Sequence, residues 1–233
     1  FPTRRSSDLG AGGMQNYLGD GSGFYAWGVQ LELDSSATAY QQVVSQYEVT
    51  EAGVASASYI AFDGVDDGMV TPTITPAINK AQVFTGVRKL SDATQSILIE
   101  LSTSSFANFG TFAIWGNQPT VTTGIRVRTG GTLFATFDGV FGSSPKTGVI
   151  SFTDDISADN GVLRINGTQA ATSTADQGAG NFLAYPLYIG RRGGSSLPFN
   201  GRIYSLIVRF GTNLTTGQIT ATESWVNGKT GAY

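Results

Sequence analysis

The amino-acid sequence predicts an all-β protein, a sandwich or barrel of antiparallel strands with one short helix near the C-terminus. Three observations carry this. The 233 residues include 31 glycines alongside abundant Thr, Ser, Val and Phe, a composition suited to short strands and tight turns. Asn-Gly and Asp-Gly pairs punctuate the chain at positions 20–21, 63–64, 138–139, 160–161, 166–167, 200–201 and 227–228. Such pairs fit the positive φ of type I′ turns, so several are expected to close hairpins. Between them lie alternating or wholly apolar runs, and purely helical periodicity is absent from that region.

The strands are expected in order. The run 24–33 (FYAWGVQLEL) is strand-like and leads into a polar, small-residue connection. Its backbone groups need a partner strand. It therefore either docks onto the downstream strands or closes a preceding domain, with a boundary near residues 50–57. Then come 58–63 (SYIAFD), 81–88 (AQVFTGVR), 95–102 (QSILIELS), 109–116 (FGTFAIWG) and 131–138 (GTLFATFD). The series ends with 147–155 (TGVISFTDD), 161–167 (GVLRING), 185–190 (YPLYIG) and 201–210 (GRIYSLIVRF). Thr215 with Gln218 three residues on has the form of a capping box. Ile219, Thr222 and Val226 then share a helical face, and Asn227-Gly228 supplies a stop signal.

Composition excludes several kinds of chemistry. The chain has no cysteine and no histidine. Disulfides, thiolate catalysis, Cys/His zinc sites and any triad with a histidine base are ruled out. Charged residues make up 13% and the net charge is −3, which disfavours nucleic acid as a partner. No apolar stretch approaches the ~20 residues of a membrane span.

The first nine residues (FPTRRSSDL) are out of character with the rest. Back-translated, they resemble a common sequencing-adapter oligonucleotide. Residues 1–9 are therefore expected to be an artefact, with the true N-terminus missing and Gly10 an arbitrary cut. Residues 10–50 are then expected to be the C-terminal remnant of a preceding β-domain with its linker, and residues 51–233 the main domain.

Two stretches resemble known families. The segment YAWGVQLELDSSATAY resembles a motif that closes small β-domains in phage tail and prophage structural proteins. The matching residues are Trp27, Gly28, Gln30, Leu31, Glu32, Ala37, Thr38 and Tyr40. From about residue 57 onward, YIAFDGVDDGMV, LRINGTQA, LYIGRRGGSSLPFNGRIYSLIVRF and the terminal helix resemble the concanavalin A-like jelly roll in its laminin-G-like form. That resemblance implies a two-sheet antiparallel jelly-roll sandwich. It leaves function open, because this fold hosts lectins, glucanases and assembly modules.

The candidate sites follow. Asp63, Asp66 and Asp67 place three carboxylates within five residues and are candidate Ca²⁺ ligands. The same pairs are also ordinary turn chemistry. Asp154, Asp155 and Asp159 form a second acidic group. Trp115, Asn117, Tyr185, Arg191 and Arg192 lie at strand ends or loops and are candidates for ligand binding, through ring stacking and hydroxyl recognition. The alternative for the aromatics is the core, and for GRRGGSS a tight turn. Two sequons, at Asn166 and Asn213, match the glycosylation pattern, and the first overlaps an expected Asn-Gly turn, which is a sufficient structural explanation. The paired glutamates of a jelly-roll glucanase are missing: from residue 57 onward the sequence offers only Glu100 and Glu223.

The expected protein is a non-catalytic carbohydrate-binding or adhesion module of a phage or prophage tail protein, in the virion or extracellular. Its expected partners are a host-surface glycan or another virion component, and a homotrimer is expected for a tail fibre. No cofactor is required, with Ca²⁺ the one candidate ion. The competing functions are an Asp-dependent glycan depolymerase and a ligand-free assembly domain.

Overall fold

A computed structural model describes residues 59–118 and 123–233. The nine-residue leader, the expected strand 24–33 with its phage-like motif, and the boundary at 50–57 lie outside the described residues. The order of elements is β1 (Ile60–Asp63), β2 (Met69–Val70), β3 (Lys80–Lys89), β4 (Ser96–Leu101), β5 (Thr111–Asn117) and β6 (Gly124–Gly130). These are followed by β7 (Ala135–Val140), β8 (Lys146–Asp155), β9 (Asn160–Ile165), β10 (Thr168–Ser173), β11 (Leu187–Ile189), β12 (Asn200–Phe210) and the helix α1 (Thr216–Thr230).

Two open six-stranded sheets form, in the orders β1-β12-β3-β8-β9-β10 and β2-β11-β4-β5-β6-β7. Every pairing is antiparallel. The architecture is a jelly-roll sandwich, not a closed barrel.

The period-two side-chain pattern of strands explains the core. Val83, Val87, Ile150, Phe152 and Leu163 face inward from the first sheet. Leu101, Phe112, Ile114, Ile125, Val127 and Phe137 meet them from the second. Each fully buried Leu, Ile, Val or Phe contributes roughly 1.5–3 kcal/mol.

The helix covers the outer face of the first sheet. Val226 is buried against Phe84 and Val149, with Ile219 beside them. That second cover explains why β3 is buried on both faces. The capping box forms as the sequence predicts, with Thr215 as the N-cap and Gln218 reciprocating.

Several turn expectations need correction. Asn166-Gly167 does turn between β9 and β10, with φ of 50° and 75°. Asp138-Gly139, by contrast, lies inside β7, and Asn160-Gly161 and Asn200-Gly201 open strands. A Cβ on Gly139 would press on Ala170 and Leu163, so close packing is what requires that glycine. Asn227-Gly228 does not stop the helix, which ends at Gly231 in the left-handed conformation. The run 131–138 becomes strand only from Ala135, and β6 was not anticipated at all.

Candidate functional site

Among the described residues, no helix covers the outer face of the second sheet. Register defines what lies on it, because directly paired residues in a ladder share a face. One row runs Val70, Tyr188, Glu100, Ala113, Arg128, Thr136. The adjacent row runs Ile97, Trp115, Arg126, Asp138. Two arginines and two acids thus stand on one sheet face, and Arg192 reaches Glu100 from the loop after β11.

The loop between β4 and β5 folds over this face. It leaves β4 at Ser102, whose φ of 117° is unusual for a residue with a side chain, and enters β5 after Gly110 at φ 62°. Ser105 sits between the ends of the first row: its N–H donates to Glu100 Oε1 at 2.6 Å, and its carbonyl accepts from Arg128 Nε at 3.1 Å. Phe106 is 60% exposed and has two guanidiniums beside it, Arg128 at 4.6 Å and Arg192 at 5.3 Å from its ring centre. Arg128 also lies 3.9 Å from the centre of Phe134, which stacks on the exposed ring of Phe109.

The charges are unequally partnered. Arg192 donates from Nε and Nη2 to the fully buried Glu100, at 2.9 and 3.0 Å. Arg126 forms a bidentate pair with Asp138 at 2.7 and 2.8 Å, which raises the pKa of its guanidinium. Arg128 has no carboxylate partner, and beyond its Nε bond no further hydrogen bond among the described residues. Burial, and then the nearby charge of Arg192, push its pKa down.

Each residue singled out from sequence has a defined place. Trp115 is wholly buried beneath this face, tilted against Phe106 and 5.3 Å from the Arg192 guanidinium. Its ring is therefore floor and not an open stacking surface. Asn117 is also buried, and its Nδ2 donates to the carbonyls of Asp92 and Thr94. Tyr185 bridges to Ile74 and packs on the core. Arg191 turns to the acidic loop, donating to the Asp66 carbonyl at 2.6 Å. Only Arg192 and Trp115 of the five come together. Phe106 and Arg128 were missed, although the alternation in GIRVRTG would have placed both arginines on one face.

The three carboxylates of Asp63, Asp66 and Asp67 do converge, with ligand oxygens within 4.8 Å of one another. Much of their capacity is used by the turn itself. Asp63 Oδ1 accepts from the amides of Val65 and Asp66, and Asp67 Oδ2 accepts from the amide of Asp63. The Val65 amide is the main reason the Asp63 carboxyl sits below its ordinary pKa. Each acid keeps an oxygen for a cation, while Arg191 adds a positive charge at the same loop.

The second acidic group does not form one site. Asp154 is buried within the sandwich, accepting from Thr129 Oγ1 at 2.8 Å and Gln177 Nε2 at 3.1 Å. Burial pushes its pKa up to about 7. Asp155 pairs with Lys80 at 2.7 Å, and Asp159 caps the backbone of Gln177. The two glutamates among the described residues are also committed: Glu100 to Arg192, and Glu223 to Arg164 beneath the helix.

This architecture is that of a jelly-roll sandwich. The chain is similar to the receptor binding domain of botulinum neurotoxin D (TM-score 0.56, 10% identity), covering 80% of this chain and 48% of that one. It is also similar to the native heptameric SAP-like pentraxin from Limulus polyphemus (TM-score 0.53, 12% identity), over 71% of this chain and 81% of that one. The CBM40 of Ruminococcus gnavus IT-sialidase, bound to α2,3 sialyllactose, gives a TM-score of 0.49 and 17% identity, over 66% of this chain and 97% of that one. At these identities the likeness establishes fold alone. No protein-family model and no curated protein matches the sequence.

Proposed function

We propose that the chain is a non-catalytic carbohydrate-binding or adhesion module that engages its ligand on the outer face of the second sheet. The observation that carries this is the exposed Phe106 ring beside Arg128 and Arg192, on a face that no helix among the described residues covers. An aromatic face stacks on the apolar side of a sugar, and guanidiniums donate to its hydroxyls. The face is shallow, so useful avidity comes from several copies, as in a trimeric fibre. Catalysis is disfavoured because both described glutamates are tied to arginines on different sheets, far from the opposed carboxyl pair that glycoside hydrolysis needs.

The phage or prophage tail setting, with a virion or extracellular location, rests on the resemblance of residues 24–40 and on the low charge of the chain. Tail and capsid genes flanking the coding sequence would support it, and a metabolic operon would oppose it. Calcium is proposed only for the Asp63, Asp66 and Asp67 turn.

A glycan array probed with the full chain, with calcium and with chelator, tests the whole reading. Binding in both conditions supports a metal-independent face. Loss on chelation moves the site to the acidic turn. A folded chain that binds no saccharide overturns the proposal in favour of assembly.

A further inference from the structure

We propose that the saccharide taken on this face is acidic, and that its carboxylate or sulfate pairs with the open Nη edge of Arg128. The inference rests on the reading above and adds the ligand's chemical class. Two of the three arginines at the face are neutralised within the protein, Arg126 by Asp138 and Arg192 by Glu100. Arg128 is not: Nε is fixed on the Ser105 carbonyl, the guanidinium lies 3.9 Å from the centre of the Phe134 ring and 4.6 Å from that of Phe106, and it forms no ion pair with an acid among the described residues.

This geometry is that of a binding group held ready. One edge and two aromatic neighbours orient the plane, and the remaining edge presents two parallel N–H donors that match the two oxygens of a carboxylate. The pairs Arg126–Asp138 and Arg192–Glu100 cancel, leaving Arg128 as the one uncompensated charge among these five groups. Partial burial and the neighbouring Arg192 both disfavour the Arg128 charge, and an anion would relieve both effects. Thr136, exposed and directly opposite Arg128 in the ladder, offers a hydroxyl beside the same edge.

The test uses the full chain and four probes: oligomers of a hexuronic acid, the same oligomers with their carboxyl groups reduced to alcohols, a sulfated neutral oligomer, and its unsulfated parent. Affinities are measured at low and at moderate salt. Two variants accompany the wild type. Arg128→Gln removes the charge. Thr136→Asp keeps the arginine and supplies an internal carboxylate across the strand pair, which favours the fold. At least one acidic probe is expected to bind wild type tenfold or more tightly than its neutral counterpart, with affinity falling as salt rises. Both variants are expected to erase that preference while melting as cooperatively as wild type. Binding of a carboxylated but not a sulfated probe, or the reverse, supports the proposal and identifies the anion. Equal affinity for acidic and neutral probes, unchanged by either variant, overturns the acidic specificity and leaves the carbohydrate-binding reading standing. Failure of all four probes to bind a folded chain overturns the acidic specificity, and the array decides separately whether any saccharide is bound.

Discussion

Asp154 shows how a single residue couples this sandwich to pH. Its carboxyl is buried between the two sheets with only neutral donors, Thr129 and Gln177, and its pKa is raised from 3.8 to about 7. A folded-state pKa above the unfolded value means that folding favours the protonated acid. The contribution is fully present below about pH 3.8 and is lost as pH rises through about 7. The span corresponds to about 4 kcal/mol as an order of magnitude. Asp155 acts oppositely: burial raises its pKa, but Lys80 and Ser157 overcome this and hold it below 3.8, so its stabilisation is lost only in stronger acid. Asp154→Asn should therefore flatten the fall in stability between pH 4 and 7 and raise the melting temperature at pH 8. A variant whose pH profile matches wild type would contradict this. Glu100 makes a second prediction at the same scale. It is fully buried against Arg192, so Glu100→Gln leaves a guanidinium without its counter-charge and should cost about 3–5 kcal/mol in a denaturant melt. Adding Arg192→Met should recover part of that loss.

Among the elements, the helix and β6 are the instructive pair. The helix was legible because its signals are local: Thr215 and Gln218 form their box whatever lies beneath. Thr215→Ala should cost about 1 kcal/mol, measured by thermal melting. Its seat on the sheet was not legible, since that depends on Gly86 of β3. A Cβ there would run into the side chain of Thr230, so Gly86→Ala should destabilise by about 1–3 kcal/mol, and Thr230→Ala should restore part of it. The strand β6 was missed because Arg126 and Arg128 interrupt its apolar character, although Ile125 and Val127 keep a strict alternation toward the core. That omission concealed the candidate site, whose arginines ride on the polar face of this strand. Asp138-Gly139 misled for a related reason. The pair has turn chemistry, but the glycine answers to side chains from β9 and β10, which no local rule can see.

At the scale of the molecule, the two sheets have divided roles. The first is sealed on its outer side by the helix through Phe84, Val149 and Val226, and by the Arg164–Glu223 pair. The second turns outward a face that no helix among the described residues covers, and the loops that carry Phe106 and Arg192 pack on it. The all-β class was readable from glycine-rich turns and strand alternation, which left sandwich or barrel open, and the two-sheet sandwich came from the resemblance to the jelly-roll family. The difference between its faces arises from register, which sequence alone does not fix. The central claim is that this face of the second sheet binds saccharide, and Phe106→Ala addresses it with little cost to the core, because the ring is mostly exposed. The most direct measurement is binding of wild type and Phe106→Ala, as full chains of equal melting temperature, to the same immobilised saccharide library. Wild type should bind a defined subset, and the variant should lose at least tenfold on every member of it. A wild type that binds no saccharide, or a variant that binds as wild type does, would contradict the account.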